Sequence, residues 1–298
     1  MMNATLDTPL ASQPSHVSTA PLFARRHGAG DRVLCLHSST GSHAQWRDLT
    51  EALAGRCETI TPDLHGHGRS PAWPAEAANS LHIDAHAVSA LLPDADDGSA
   101  APGVHLVGHS YGGAVALQIA LREPRRVRSL TLYEPVPFGL MHACAPGGTA
   151  LGEIQDIAGS VEALVRRGDL DGAARVFVSY WGGAAAWEAM GPAQRTAVFA
   201  RIVTVPRHFA ALFRATWSAR LLACLTMPVL LIHGAATRAP ARCVADLLGD
   251  ALPHVKRIEI AGAGHLGPMT HASAVTAAML GHLQANGLPQ QPRVAAHA

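Results

Sequence analysis

The strongest constraint on this chain is an alternation of short apolar runs with stretches of helical spacing, broken once. Residues 33–37 form an apolar run that ends at a small, polar turn, and residues 46–53 then repeat apolar positions at helical spacing. Residues 58–61 are strand-like and stop at Pro62-Asp63, and residues 81–92 have a helical pattern. A strand at 104–107 runs straight into a helix from Tyr111 to Arg122, and 128–133 is strand-like again. From 136 to 220 only helical patterns occur, punctuated by Gly147-Gly148, Gly182-Gly183, Pro192 and Pro206. The alternation resumes with a strand at 228–233, a helix at 241–248, a strand at 256–260 and a helix at 272–284. Strands separated by helices need crossover connections, which predicts an α/β fold: a mostly parallel central sheet with helices on both faces. The interruption predicts a helical cap inserted after the strand that ends at Tyr133. The expected organisation is a core of residues 21–135 and 221–286, a cap of 136–220, and mobile tails at 1–20 and 287–298.

Composition narrows the function classes. Hydrophobic residues make up 48 % of the chain, enough for a large core, so a disordered chain is excluded. The 23 basic and 22 acidic side chains leave a formal charge of +1. A chain this close to neutral has no long-range field to gather phosphates, so nucleic acid is not an expected partner. The five cysteines are widely spaced and contain no CxxC, which suits free thiols in a reducing compartment. The first twenty residues lack the basic and apolar regions of a signal peptide, and no apolar run approaches the roughly 20 residues that span a bilayer. A cytoplasmic protein acting on a small molecule, away from membranes, is expected.

Gly108-His-Ser110-Tyr-Gly112, with Gly113 behind it, sits at the junction of the 104–107 strand and the helix that follows. A serine on so sharp a turn takes a strained backbone conformation, and its neighbours must lack bulky side chains. The helix N-terminus behind it aims N–H groups at any negative charge that develops there. Ser110 is therefore the candidate nucleophile.

With this turn the chain resembles the α/β-hydrolase superfamily over nearly all of residues 22–286. His37-Ser-Ser-Thr-Gly41 resembles that family's oxyanion loop, and Pro62-Asp-Leu-His-Gly-His-Gly-Arg-Ser70 resembles its D-x-x-G-x-G-x-S segment. Gly262-Ala-Gly-His265 resembles the loop carrying the catalytic histidine. The resemblance implies that His265 is the general base and that the backbone N–H groups of Ser39 and Tyr111 form the oxyanion hole. In two places the chain departs from the pattern. Ser38 stands where the family usually has the Gly of His-Gly, where its side chain would either narrow the hole or add a donor. Thr237, in His233-Gly-Ala-Ala-Thr237, stands where most members carry the catalytic Asp.

A threonine cannot carry the charge that stabilises an imidazolium, so the acid must come from elsewhere. Glu134 lies at the carboxyl end of the strand after the nucleophile, where haloalkane dehalogenases and some other members place theirs, and it is the expected acid. His82 and His86 at i, i+4 have metal-ligand spacing but no third ligand nearby, and read as a surface pair; no metal or organic cofactor is expected. His109 and His233 are expected to pack or shape turns. Trp181, Trp187, Phe199, Phe209, Phe213 and Trp217 are expected to fill the cap's own core, some of them lining a pocket.

The implied activity is that of a serine hydrolase cleaving a small or medium, rather apolar carboxylic ester through an acyl-enzyme on Ser110. A carbon–carbon bond hydrolase and a cofactor-free perhydrolase would use the same triad. A binding or sensor protein that kept the fold and lost turnover is the alternative from another class.

Overall fold

A computed structural model describes residues 20–92, 103–144 and 148–290. The outer parts of both expected tails lie outside these residues. Seven strands form one sheet: β1 (Ala24–His27), β2 (Arg32–Leu36), β3 (Glu58–Pro62), β4 (Val104–His109), β5 (Val127–Tyr133), β6 (Val229–Gly234) and β7 (Val255–Ile260). Their order across the sheet is β1-β3-β2-β4-β5-β6-β7, and every pairing is parallel except β1 with β3.

The burial of each strand follows from its place. β4 and β6 are buried along their whole length, which explains their near-continuous apolar sequences. β1 and β7 stand at the edges and carry charged, largely exposed residues. The pleat sends alternate side chains to opposite faces. Leu34 and Leu36 of β2 join one apolar cluster, while Val33 and Cys35 join another. In β6, Val229 and Leu231 go to the first cluster, and Leu230 and Ile232 to the second. Cys35, Cys57 and Cys224 are free thiols.

Helices α1 (Arg47–Ala52) and α12 (Ala272–Ala285) cover the second cluster with Leu49, Val275, Met279 and Leu283. The other face carries α2 (His82–Ser89), α3 (Tyr111–Arg122) and α10 (Ala239–Ala251). Between β5 and β6 the described elements are all helices: α4 (Gly139–Cys144), α5 (Thr149–Arg166), α6 (Leu170–Gly182), α7 (Pro192–Ile202), α8 (Val205–Arg214) and α9 (Ala219–Leu222). A short α11 (Gly267–Thr270) precedes α12. None of the described helices is long and apolar enough to cross a membrane.

Strand order reverses between β2 and β4: the chain moves outward from β2 to β3, then returns to β4 on the other side. In open α/β sheets the crevice at such a switch point, beyond the carboxyl ends of the strands, is where ligands bind. The loops carrying Ser39, Ser110, Glu134 and His265 all leave the carboxyl ends of strands.

Candidate active site

Ser110 follows β4 directly and caps the N-terminus of α3 at φ 55°, ψ −118°. The glycines around it make that turn feasible. A Cβ on Gly108 would lie 2.6 Å from the Gly112 carbonyl oxygen, and one on Gly112 would run into the carbonyl oxygens of Leu36 and His37. Among the described residues three non-glycines have positive φ: Thr40 (61°), Ser110 (55°) and Glu134 (40°). Thr40 and Ser110 border one cavity, and Glu134 lies behind it against His265. Such conformations cost on the order of 1–3 kcal/mol each and concentrate at functional sites.

A chain of hydrogen bonds joins three of the expected residues. The Ser110 Oγ and His265 Nε2 are 2.9 Å apart, and His265 Nδ1 and Glu134 Oε2 are 2.7 Å apart. An ionised carboxylate can only accept, so Nδ1 carries the proton and Nε2 is left to accept the Ser110 hydroxyl. All three side chains are buried. Burial pushes the Glu134 carboxyl up, but the hydrogen bond and charge of His265, with bonds from Thr237 and Gly234, outweigh it and hold the group below its ordinary value.

Thr237 explains how an acid can sit at the end of β5 rather than β6. Its hydroxyl donates to Glu134 Oε2 at 2.6 Å, and the Gly234 N–H donates to Oε1 at 2.8 Å. The position where the family pattern expects an acid thus supplies a donor to one. The backbone of Glu134 is anchored as well, its N–H donating to Ile232 at 2.9 Å.

The loop of His265 is fixed from below. His109 Nε2 donates to the His265 carbonyl at 2.8 Å, and the Tyr133 hydroxyl donates to the Gly264 carbonyl at 2.7 Å. His109 is buried, and burial first, then the neighbouring His265, lowers its pKa well below the ordinary value, so it stays neutral. From the other side the Trp181 ring stacks on His265 with centroids 3.9 Å apart.

Ser39 lines the same cavity as Ser110, and its N–H has no acceptor among the described residues. Tyr111 is the first residue of α3, where an N–H has no intrahelical acceptor. Ser38 turns away from this pair: its N–H and hydroxyl both donate to Gln45 Oε1, at 3.0 and 2.9 Å. The loop is braced by imidazoles. His37 Nε2 accepts the Leu64 N–H at 2.9 Å, and His67 Nε2 accepts the Thr40 N–H at 3.1 Å. Burial lowers both imidazoles, His37 to about 4 and His67 to about 3, so both stay neutral acceptors. Arg201 of α7 donates to the Thr40 carbonyl at 2.9 Å, so that residue's positive φ is gripped from both sides.

Two participants carried no motif in the sequence. Asp84 on α2 accepts from His65 Nδ1 at 2.7 Å and from the Tyr111 hydroxyl at 2.8 Å, bracing the residue next to Ser110. His208 on α8 stacks face to face on Tyr111 at 3.6 Å and bonds Ser39 Oγ at 2.8 Å. No local pattern marks either residue, because each acts across the fold. His82 and His86 lie side by side with ring centroids 5.9 Å apart, and no group of three metal-ligating side chains occurs among the described residues.

The cavity beside Ser110 holds about 300 Å³ and is lined by Phe177, Val178, Trp181, Met190 and Leu266 and by the hydroxyl-bearing loop 38–42, with Gln45, Gln194 and Arg201 as further polar side chains. A narrower apolar recess of about 10 Å³, walled by Phe138, Phe177 and Phe209, also opens on Ser110 and Ser39. The aromatic residues of 136–220 therefore divide. Trp187 packs against Phe199 inside the helical layer, whereas Trp181 and Phe177 face the cavity.

Comparisons with known proteins agree with this architecture. The chain is 36% identical over 137 residues to the lipase LipV of Mycobacterium tuberculosis, covering 45% of this chain and 47% of that one. It is 35% identical over 122 residues to a pimeloyl-[acyl-carrier protein] methyl ester esterase of Aeromonas hydrophila, covering 41% and 44%. The chain thus spans less than half the length of either curated relative. The crystal structure of a hydrolase from Pseudomonas aeruginosa superposes with a TM-score of 0.72 at 24% identity, covering 88% of this chain and 94% of that one. The family model described as the alpha/beta hydrolase fold matches residues 31–272, most of the chain. This chain belongs to the α/β hydrolase fold family.

Proposed function

We propose that this protein is a serine hydrolase that cleaves small or medium, rather apolar carboxylic esters. The observation that carries the proposal is the buried chain of hydrogen bonds from Ser110 through His265 to Glu134. His265 Nε2 takes the hydroxyl proton as Ser110 Oγ attacks the carbonyl carbon, and Glu134 stabilises the imidazolium that results. The N–H groups of Tyr111 and Ser39 donate hydrogen bonds to the developing oxyanion. His265 then returns the proton to the leaving alcohol, and water releases the acid by the same steps in reverse. The chemistry needs neither metal nor organic cofactor. The helices between β5 and β6 act as a cap, and their apolar side chains favour a substrate that fills about 300 Å³.

The test is intact-mass spectrometry after incubation with a fluorophosphonate, followed by peptide mapping. One adduct on Ser110, absent from Ser110→Ala, is expected, and the variant should lose about 10⁶-fold in kcat on p-nitrophenyl esters. Folded wild-type protein that takes no adduct and turns over no ester would be the non-catalytic binder instead.

Arg201 supports a second reading on the same triad. Its guanidinium group lines the cavity and would pair with a substrate carboxylate, as a carbon–carbon bond hydrolase acting on dienone acids requires. Turnover of such acids with a KM that rises at least tenfold in Arg201→Gln would favour it; ester turnover indifferent to Arg201 would not.

A further inference from the structure

His208 belongs to the helical layer between β5 and β6, yet its ring is wholly buried against the core. One face lies flat on Tyr111, and the other stacks on His67 with centroids 5.2 Å apart. Its Nδ1 is 2.8 Å from Ser39 Oγ, and its buried Nε2 has no partner. Burial, then the neighbouring His67, His37 and His65, lower its pKa well below the ordinary value, so the ring is neutral and carries one proton.

The position of that proton follows from the unpartnered nitrogen. With the proton on Nε2, a buried N–H would lack an acceptor, which is rarer in folded proteins than an under-used acceptor. With the proton on Nδ1, the ring donates to Ser39 Oγ and only a lone pair goes unused. The Ser39 hydroxyl, its lone pair engaged, then keeps its own proton to donate elsewhere. Ser39 and Ser110 border both the larger cavity and the narrow recess, so a group bound to Ser110 would place its oxygen in a space that Ser39 also borders.

We propose that the Ser39 side-chain hydroxyl is a third donor to the oxyanion, held in its donating orientation by His208. This rests on the serine-hydrolase reading above and adds a side-chain role to Ser39, whose N–H that reading already uses. Ser39 touches the reacting oxygen; His208 is a positioning residue that acts through Ser39. No bond forms or breaks at either: the hydroxyl donates a hydrogen bond that strengthens as the carbonyl oxygen gains charge.

The test compares Ser39→Ala, Ser39→Thr, His208→Phe and the Ser39→Ala/His208→Phe double variant with wild type on p-nitrophenyl acetate, alongside the rate of fluorophosphonate labelling. Ser39→Ala should lower kcat and the labelling rate roughly 10- to 100-fold with KM within about twofold, the scale of one charge-assisted donor. Ser39→Thr, which keeps a hydroxyl, should recover most of that loss. His208→Phe keeps the ring against Tyr111 and should lose a comparable factor, with the double variant no slower than Ser39→Ala alone. Active wild type with Ser39→Ala at wild-type kcat overturns the proposal and leaves the hydrolase reading intact. So does a double variant whose losses multiply, since the two residues would then act independently. Wild-type protein that neither labels nor turns over removes both.

Discussion

The loops at the carboxyl ends of the strands and the helices between β5 and β6 both surround Ser110, but they are built under different constraints. In the loops, backbone geometry dictates residue type. Gly108 and Gly112 are needed because a Cβ would strike neighbouring backbone, and Thr40, Ser110 and Glu134 hold positive φ. In the helices, backbone geometry is ordinary and the contribution comes from side chains reaching down: Arg201 to Thr40, His208 to Ser39 and Tyr111, Trp181 to His265. The loops fix where atoms sit, and the helices fix which way the loop side chains face and what space remains beside them. Substitutions in the loops should therefore abolish chemistry, while those in the helices should grade it.

The largest effect that separates the two regions is expected at Glu134. Glu134→Gln should reduce kcat by about 10³- to 10⁴-fold, because a neutral amide stabilises neither the imidazolium nor the required tautomer. Thr237 sharpens this case, since its hydroxyl lies 2.6 Å from the same Glu134 oxygen that meets His265. Adding Thr237→Asp to Glu134→Gln moves the acid to the end of β6 and should recover at least about tenfold. In the wild-type background Thr237→Asp crowds two carboxylates, raising the pKa of one and moving the acidic limb of the pH–rate profile upward. Steady-state kinetics of the three variants decide it; a Glu134→Gln protein with near wild-type kcat would remove Glu134 from the triad.

The same division explains what could be read from the sequence. Among the strands inside the sheet, β2, β4 and β6 announced themselves as apolar runs and β3 and β5 as strand-like segments, whereas β1 did not: Ala-Arg-Arg-His is polar because that strand is an edge lying on β3. Ser110 was legible because glycines imposed by backbone clashes mark its turn, and His265 because its Gly262-Ala-Gly-His265 loop resembles the family's histidine loop. Glu134 was legible from a threonine standing where the family pattern has a charge, together with the resemblance to members that carry the acid at the end of this strand. The donation from Thr237 could not be read, since its partner is about a hundred residues away. Asp84 and His208 lie on helices whose residue choices local spacing does not constrain, and their roles exist only once α2 and α8 are packed. The direction of Ser38 was likewise open until its hydroxyl was seen on Gln45.

A smaller effect is expected in the helical layer. Trp181 separates the cavity beside Ser110 from a groove of about 570 Å³ bordered by Arg238, His271 and Gly262, and it lines both. Trp181→Ala would join the two spaces and free one face of His265. A loss of roughly tenfold in kcat/KM for p-nitrophenyl butyrate follows, from admitted water and a less restrained imidazole. Trp181→Phe keeps a ring on the histidine and should keep most of the rate. If alanine and phenylalanine behave alike, the stack on His265 has no kinetic role.

The smallest effect tests the sheet far from either region and concerns stability rather than rate. His105 is buried on β4, with Nδ1 2.7 Å from Ser129 Oγ, and burial, then the charge of Arg128, lowers its pKa from 6.5 to about 4. A histidine whose pKa is lower folded than unfolded binds fewer protons in the native state between those two values. Stability must therefore fall as pH drops through that window, by about 1.4 kcal/mol per pH unit for each such group. His37 and His67 add to the slope with the same sign, since burial lowers them too. His105→Asn retains a polar partner for Ser129 and cannot titrate, so urea unfolding between pH 4.5 and 6 should show a slope shallower by one proton, with unchanged kcat at neutral pH. An unchanged slope would mean that His105 takes up its proton as readily folded as unfolded, and the acid sensitivity would then belong to the imidazoles bracing the loop beside Ser110.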